Sequence, residues 1–229
     1  MQTDPLKLQL LDAALTHVAF DGWSPATFDA AVAEVGIDPA HAATLCPRGA
    51  VDLAILSHQQ GDAAMIAAMR AADLGDMRYS EKVAHAIRLR LAAVPDKEAV
   101  RRATALFALP HMSPDGARLI WGTADAIWTA LGDTSDDINW YSKRATLSAV
   151  YGSVVLYWLG DTSPDGAATD AFIDRRIADV MQFEKVKAQL RDNPLLKPLT
   201  GPLGQLAARV KAPRQMPDFD DLPGMWREQ

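Results

Sequence analysis

The chain offers few side chains whose type and spacing could do chemistry. Its five histidines, His17, His41, His58, His85 and His111, fall one to a segment. None sits in His-Glu-x-x-His or Glu-x-x-His, the spacings that put zinc or di-iron ligands on one helix face. Each therefore reads as a surface or capping residue. Glu81 and His85, four apart, read as a pair on a helix face. Cys46 is the only cysteine and lies between Leu45 and Pro47, which suits a buried structural thiol better than a nucleophile. There is no glycine-rich phosphate loop and no Gly-x-Ser-x-Gly elbow. The expectation is a protein without catalytic residues, cofactor or metal.

The aromatic residues carry more information. Trp121, Trp128, Trp140 and Trp158, with Tyr141, Tyr151 and Tyr157, crowd one stretch that holds four of the six tryptophans. Trp140, Arg144, Leu147, Tyr151, Val154 and Trp158 recur at helical spacing, and core packing accounts for Leu147, Tyr151 and Val154. In 134-TSDDINWYSKR-144, however, Trp140 and Tyr141 stand among Asp136, Asp137, Asn139, Lys143 and Arg144 at a helix start. The carboxylates suit the positive end of the helix dipole. Arg144 is one turn below Trp140, the spacing of a cation–π pair. An exposed Trp-Tyr pair ringed by charge has the composition of an interface hot spot.

The elements that must hold these residues read as helix after helix, with no strand pattern. Ser24 and Pro25 start one helix and Gly36 ends it, and Asp38 with Pro39 starts the next, so 23-WSPATFDAAVAEVGIDPAHAATL-45 has the form of a helix-turn-helix. DNA chemistry is missing from it. Residues 1–50 contain Lys7 and Arg48 against Asp4, Asp12, Asp21, Asp29, Glu34 and Asp38. In the second helix only His41 and Thr44 could reach a base edge. Longer helices follow to about Leu190. Val51, Ile55, His58, Asp62, Met65 and Met69 share one face, with Asp62 as its polar interruption. The fold class is all-α, a TetR-like helical bundle with a helix-turn-helix-like head and a larger body.

Net charge is −6, unevenly spread. Gln182 to Arg214 has seven basic and two acidic residues. Within that tail Leu195, Leu199, Leu203, Leu206 and Val210 follow one helix face, interrupted by Pro194, Pro198 and Pro202, so a short helix from Pro202 is expected. A basic amphipathic segment suits an anionic membrane surface, and the alternative is a strap packed on the body. The start, MQTDPLKLQL, lacks the pattern of a signal peptide, and no apolar run reaches the ~18 residues of a membrane span.

Several stretches resemble a known family: 19-AFDGWS-24, 45-LCPRGAVDL-53, 88-RLRL-91, 109-LPHMSP-114, 124-ADAIW-128, 132-GDTSDDINWYSKRATLSAVYGS-153 and 172-FIDRRIADVMQFEKVK-187. Together they resemble coenzyme-Q-biosynthesis protein nine, the lipid-binding accessory family of the ubiquinone pathway, in its bacterial form. The block Asp-x-Asn-Trp-Tyr-x-Lys-Arg is the most specific part. The resemblance spans roughly residues 6–190, with Asp136 and Ile138 departing from the family's usual Thr and Phe.

The resemblance implies a non-enzymatic protein that binds an isoprenoid quinone and presents it to the di-iron demethoxyubiquinone hydroxylase. That hydroxylase would carry the iron. The apolar site is expected between the helices bearing Phe107, Ile120, Trp121, Val150, Val154 and Trp158. The partner surface maps onto Asp125, Ile127, Trp128, Asp137, Trp140, Tyr141 and Arg144. The layout expected is a head without nucleic-acid binding at 1–50, a lipid-binding body at 51–192 and a membrane-docking tail at 193–229. The protein would sit on the inner face of the bacterial cytoplasmic membrane, and a homodimer is compatible with the chain. The competing reading is a TetR-type regulator with a hydrophobic effector.

Overall fold

The structure is a computed structural model and describes residues 3–192 and 211–212. Among them are nine α-helices and no strand. The head contains α1 (Pro5–Asp21), α2 (Pro25–Val35) and α3 (Pro39–Leu45). Its caps are those read from the sequence. Ser24 accepts a hydrogen bond from the Thr27 amide, Asp38 accepts from Ala40 and His41, and Gly36 ends α2 at φ 72°, where a side chain would be strained.

The body follows as α4 (Ala50–Ala71), α5 (Tyr79–Ala92), α6 (Lys97–Phe107), α7 (Ser113–Ala130), α8 (Ile138–Gly160) and α9 (Ala167–Asp192). Asp96 caps α6 and Asp137 caps α8. α1 packs on α2, α4 and α6, while α4 lies against α5 and α7, and α8 against α7 and α9.

Two hydrophobic clusters result. One joins Leu10, Leu11, Val18, Trp23 and Val32 of the head to Leu53, Ala54 and Leu56 of α4 and Ala99 of α6. Residues 1–50 thus do not close a core by themselves; they borrow the first turns of α4 and one face of α6. The other cluster joins the later turns of α4 to α5, α7, α8 and α9 through Met65, Ile87, Ile127, Leu147, Val154 and Ile173. Cys46 is 1% exposed in the head core, and burial raises its thiol pKa, as a structural thiol requires.

Candidate functional site

A cavity of about 610 Å³ lies where the two clusters meet. The head cluster supplies Trp23, Ala54, Ala99 and Phe107 to its wall, and the body cluster supplies Leu91, Val100, Ile120, Val155 and Trp158. The volume is within the roughly 300–1,000 Å³ of small-molecule sites. Small residues keep it open: Ala54, Ala99, Ala103, Gly116 and Gly152 all line it. Leu156 lines it too and is 63% exposed, so it stands at the rim.

Part of the wall is polar. His58 of α4, Arg90 of α5 and Tyr151 of α8 line the cavity, and they belong to one buried network. Arg90 is 4% exposed; its Nε donates to Asp62 at 2.6 Å and its Nη2 to the His58 carbonyl at 3.0 Å. Thr123 Oγ1 donates to Asp62 at 2.9 Å and lies 2.8 Å from His58 Nε2. Gly61 makes room for the guanidinium, because a Cβ there would lie 2.5 Å from Arg90 Nη1. Burial pushes His58 down to about 4, with Arg90 acting in the same direction and Asp62 against it. Burial pushes Tyr151 up to about 12. At neutral pH both rings are uncharged, and the Arg90 charge is matched by Asp62.

The polar interruption at Asp62 is thereby explained, while His58 is a correction. It reads from the sequence as a surface or capping residue and is largely buried instead. The sequence reading matches 88-RLRL-91 to the family but misses the role of Arg90, because nothing in that stretch separates it from Arg88, which pairs at the surface with Asp170 and Asp174.

Of the six residues expected to form an apolar site, Phe107, Ile120, Trp121 and Trp158 line the cavity. Val150 and Val154 do not, and are corrected: they are buried in the body cluster with Ile87 and Ile173. At ~100° per residue, the face of α8 toward the cavity carries Ser148, Tyr151, Gly152 and Val155 instead.

The block at the start of α8 is built around salt bridges. Arg144 is 3% exposed in its side chain, with Asp125 on one side and Asp133, at 3.0 Å, on the other. Lys143 reaches Asp133 at 2.7 Å. Desolvation raises the Asp133 pKa, but hydrogen bonds from Lys143, Ser135 and Arg144 outweigh it and hold it down to about 2. The Arg144 guanidinium lies 4.0 Å from the Trp140 ring centre. Trp140 and Tyr141 are half-buried, in edge contact at 4.9 Å. Trp128 stacks on Tyr79 at 5.6 Å and donates its indole N–H to the Lys143 carbonyl.

Two of the expected partner residues are therefore corrected. Ile127 is 0% exposed in the core, and Arg144 is enclosed by its two carboxylates, so neither has surface to offer a partner. Asp125, Trp128, Asp137, Trp140 and Tyr141 keep partial exposure.

The helix-turn-helix form is present, and its outer face is poor in cations. Ala40, His41, Ala43 and Thr44 are the exposed residues in the middle of α3. Arg48 is bound to Asp52 and Asp115. Leu195, Leu199, Leu203, Leu206 and Val210 lie outside the described residues. Beyond them the Ala212 amide donates to the Asp136 carbonyl at 2.8 Å, just ahead of α8. No helix among the described residues is long and apolar enough to cross a membrane.

Among the described residues the architecture is an all-α, TetR-like fold with a cavity between head and body. It resembles the TetR transcriptional regulator from Nitrosomonas europaea ATCC 19718, with a TM-score of 0.63 over 76% of this chain and 97% of that one; at 18% identity this likeness concerns the fold alone. The chain is similar to the COQ9 proteins, and its residues 113–184 match the COQ9 family model. It is 29% identical over 194 residues to the probable ubiquinone biosynthesis protein coq9, mitochondrial, of Dictyostelium discoideum, covering 82% of this chain and 63% of that protein. To the ubiquinone biosynthesis protein COQ9, mitochondrial, of Homo sapiens it is 28% identical, with 82% and 61% covered. To COQ9-A of Xenopus laevis it is 30% identical, with 78% and 58% covered. The chain thus spans about three fifths of the length of the curated relatives it matches.

Proposed function

We propose that this protein serves ubiquinone biosynthesis as a non-enzymatic carrier. It holds a polyprenyl quinone intermediate in the cavity between head and body and presents it to the di-iron demethoxyubiquinone hydroxylase. The observation that carries this reading is the cavity itself, about 610 Å³ and largely apolar, in a relative of proteins named for ubiquinone biosynthesis. Each prenyl carbon exposed to water costs about 0.8 kcal/mol, so the carrier must shield the carbons it draws out of a bilayer and leave the rest of the tail in the membrane. The half-buried Trp140–Tyr141 pair supplies the docking surface for the hydroxylase. The basic tail from Leu195 to Lys211 holds the protein on the inner face of a bacterial cytoplasmic membrane.

The TetR-like fold is the observation that favours a regulator with a hydrophobic effector. Against it stand the acidic head, the cation-poor face of α3 and the pairing of Arg48 with two carboxylates. Native mass spectrometry of the purified protein tests the carrier reading. Co-purified prenyl quinones or their precursors are expected; a lipid-free protein that takes up no added quinone overturns it.

A further inference from the structure

Residues that line the cavity and are also exposed mark its mouth. Ala108 just after α6, Ala117 of α7, and Ala145 and Leu156 of α8 do both. The mouth is therefore a seam, with α6 and α7 on one side and α8 on the other. The two long sides of α6 are held differently. Toward α1 the hold is a packed one. Ala99 is 4% exposed in the head cluster, and its carbonyl accepts the indole N–H of the buried Trp23 at 3.1 Å. Arg102 adds a bond to the Ala19 carbonyl at 2.8 Å. Toward α8 two cations reach across to the C-terminal end of that helix. Lys97 Nζ donates to the Asp161 carbonyl at 2.9 Å and lies 5.0 Å from the Trp158 ring centre. Arg101 Nη2 donates to the Leu159 carbonyl at 2.6 Å. A helix C-terminus favours such cations, because its last carbonyls lack intrahelical donors. Within α6 itself Ala99 is the only buried residue, while Val100, Ala103, Thr104 and Phe107 line the cavity. Non-helical turns flank the helix, with Pro95 before it and Pro110 after it.

We infer that α6 is a hinged wall of the cavity, pivoting on its α1 side, and that Lys97 and Arg101 latch its free edge to the end of α8. This rests on the reading of the cavity as a binding site and adds how a guest passes in and out. The polar atoms decide which side moves. Lifting α6 from α1 would strand the buried Trp23 N–H and the Ala99 carbonyl, and buried polar groups left unpaired are costly. Lifting it from α8 frees the Arg101 head group, whose side chain is already 50% exposed, and water takes over the bonds that are lost. A short helix with one buried residue and a turn at each end is the kind of segment that opens locally. Neither Lys97 nor Arg101 lines the cavity, so the latch governs the rate of exchange and leaves the affinity to the other walls.

The test uses the full chain and diphenylhexatriene, an apolar probe, followed in stopped flow by energy transfer from the protein's tryptophans. Lys97→Met and Arg101→Met should each raise both the association and the dissociation rate by about 5–10-fold, the worth of one hydrogen bond, and leave the affinity within about twofold. The converse variant pins the seam. Arg101→Cys with Gly160→Cys places a thiol on each side of the latch; a Cβ at Gly160 meets nothing within 4 Å, and Cys46 is 1% exposed and stays unlabelled. Joining the pair with a short bis-maleimide should slow both rates at least about 10-fold relative to the unjoined pair, since a covalent tie replaces the bond removed. Loss of packing alone would not speed association. Rates unchanged in both methionine variants and after joining overturn the hinge and leave the cavity as a binding site. A rise in dissociation alone, with weakened affinity, makes Lys97 and Arg101 contacts of the guest and overturns the latch. A probe that does not bind the natural protein overturns both readings.

Discussion

Trp121 on the cavity wall and Trp140 at the start of α8 hold their ring centres 6.0 Å apart, inclined at 53°. Trp140 continues to Tyr141 at 4.9 Å and lies under the Arg144 guanidinium at 4.0 Å. One set of aromatic contacts therefore runs from the cavity to the half-buried surface where the hydroxylase is proposed to dock.

Trp140→Ala should accordingly have two effects. Capture of the hydroxylase should fall at least about 30-fold, as for an interface tryptophan that supplies ~2 kcal/mol or more. Stability should fall by only about 1–2 kcal/mol, less than the roughly 3–5 kcal/mol of a core tryptophan, because Trp140 is half-buried. Ile127→Ala is the contrasting variant: it should cost about 2–5 kcal/mol and leave capture by the folded protein unchanged. Thermal melting with a pull-down decides, and an unchanged pull-down for Trp140→Ala removes the docking role.

Deleting Pro194–Gln229 should weaken binding to anionic liposomes, and raised salt should weaken binding of the full chain. The contact of Ala212 with Asp136 offers the opposing outcome. If the truncated protein binds liposomes as well as the full chain, the segment is a strap on the body and the membrane role falls.

The helices were legible because their punctuation is local. Ser24, Gly36 and Asp38 mark helix ends by chemistry that needs no tertiary partner. The sides of the helices were harder to read. Val150 and Val154 are as apolar as Val155, and only the placing of α5 and α9 decides which faces the cavity. Arg144 is charged, and charge in a sequence reads as surface; Asp125 and Asp133, 19 and 11 residues away, enclose it. The His58–Asp62–Arg90–Thr123 network draws on α4, α5 and α7, so no window of sequence displays it.

Gly61→Ala should destabilise the protein, against the usual gain of about 1 kcal/mol for replacing a mid-helix glycine. The new methyl group would lie 2.5 Å from Arg90 Nη1 and 2.6 Å from Cζ. A free arginine would swing aside. This one is 4% exposed and held by Asp62 and the His58 carbonyl, so moving it leaves a buried carboxylate without its partner, at about 3–5 kcal/mol. Urea unfolding measures the change, and a variant as stable as the natural protein would show that the network yields without cost.

Acid should act on this protein through His58. Its pKa is about 6.5 when unfolded and about 4 in the native state, where burial and Arg90 oppose the charged ring and Asp62 only partly offsets them. Between these values the unfolded chain binds a proton that the native state does not, so stability rises with pH across the window. The contribution is complete above pH 6.5 and is lost as pH falls toward 4. At about 1.4 kcal/mol per unit, the full loss is on the order of 3 kcal/mol, with about 2 kcal/mol of it gone by pH 5. Tyr151 stays neutral throughout, pushed up to about 12. Asp133, held down to about 2, adds its own loss only below pH 4. His58→Gln keeps a side chain able to reach Thr123 but cannot titrate. Urea midpoints at pH 7 and pH 5 should therefore separate widely for the natural protein and much less for the variant, the other four histidines being common to both. Equal sensitivity in the two proteins would assign the acid loss to groups other than His58.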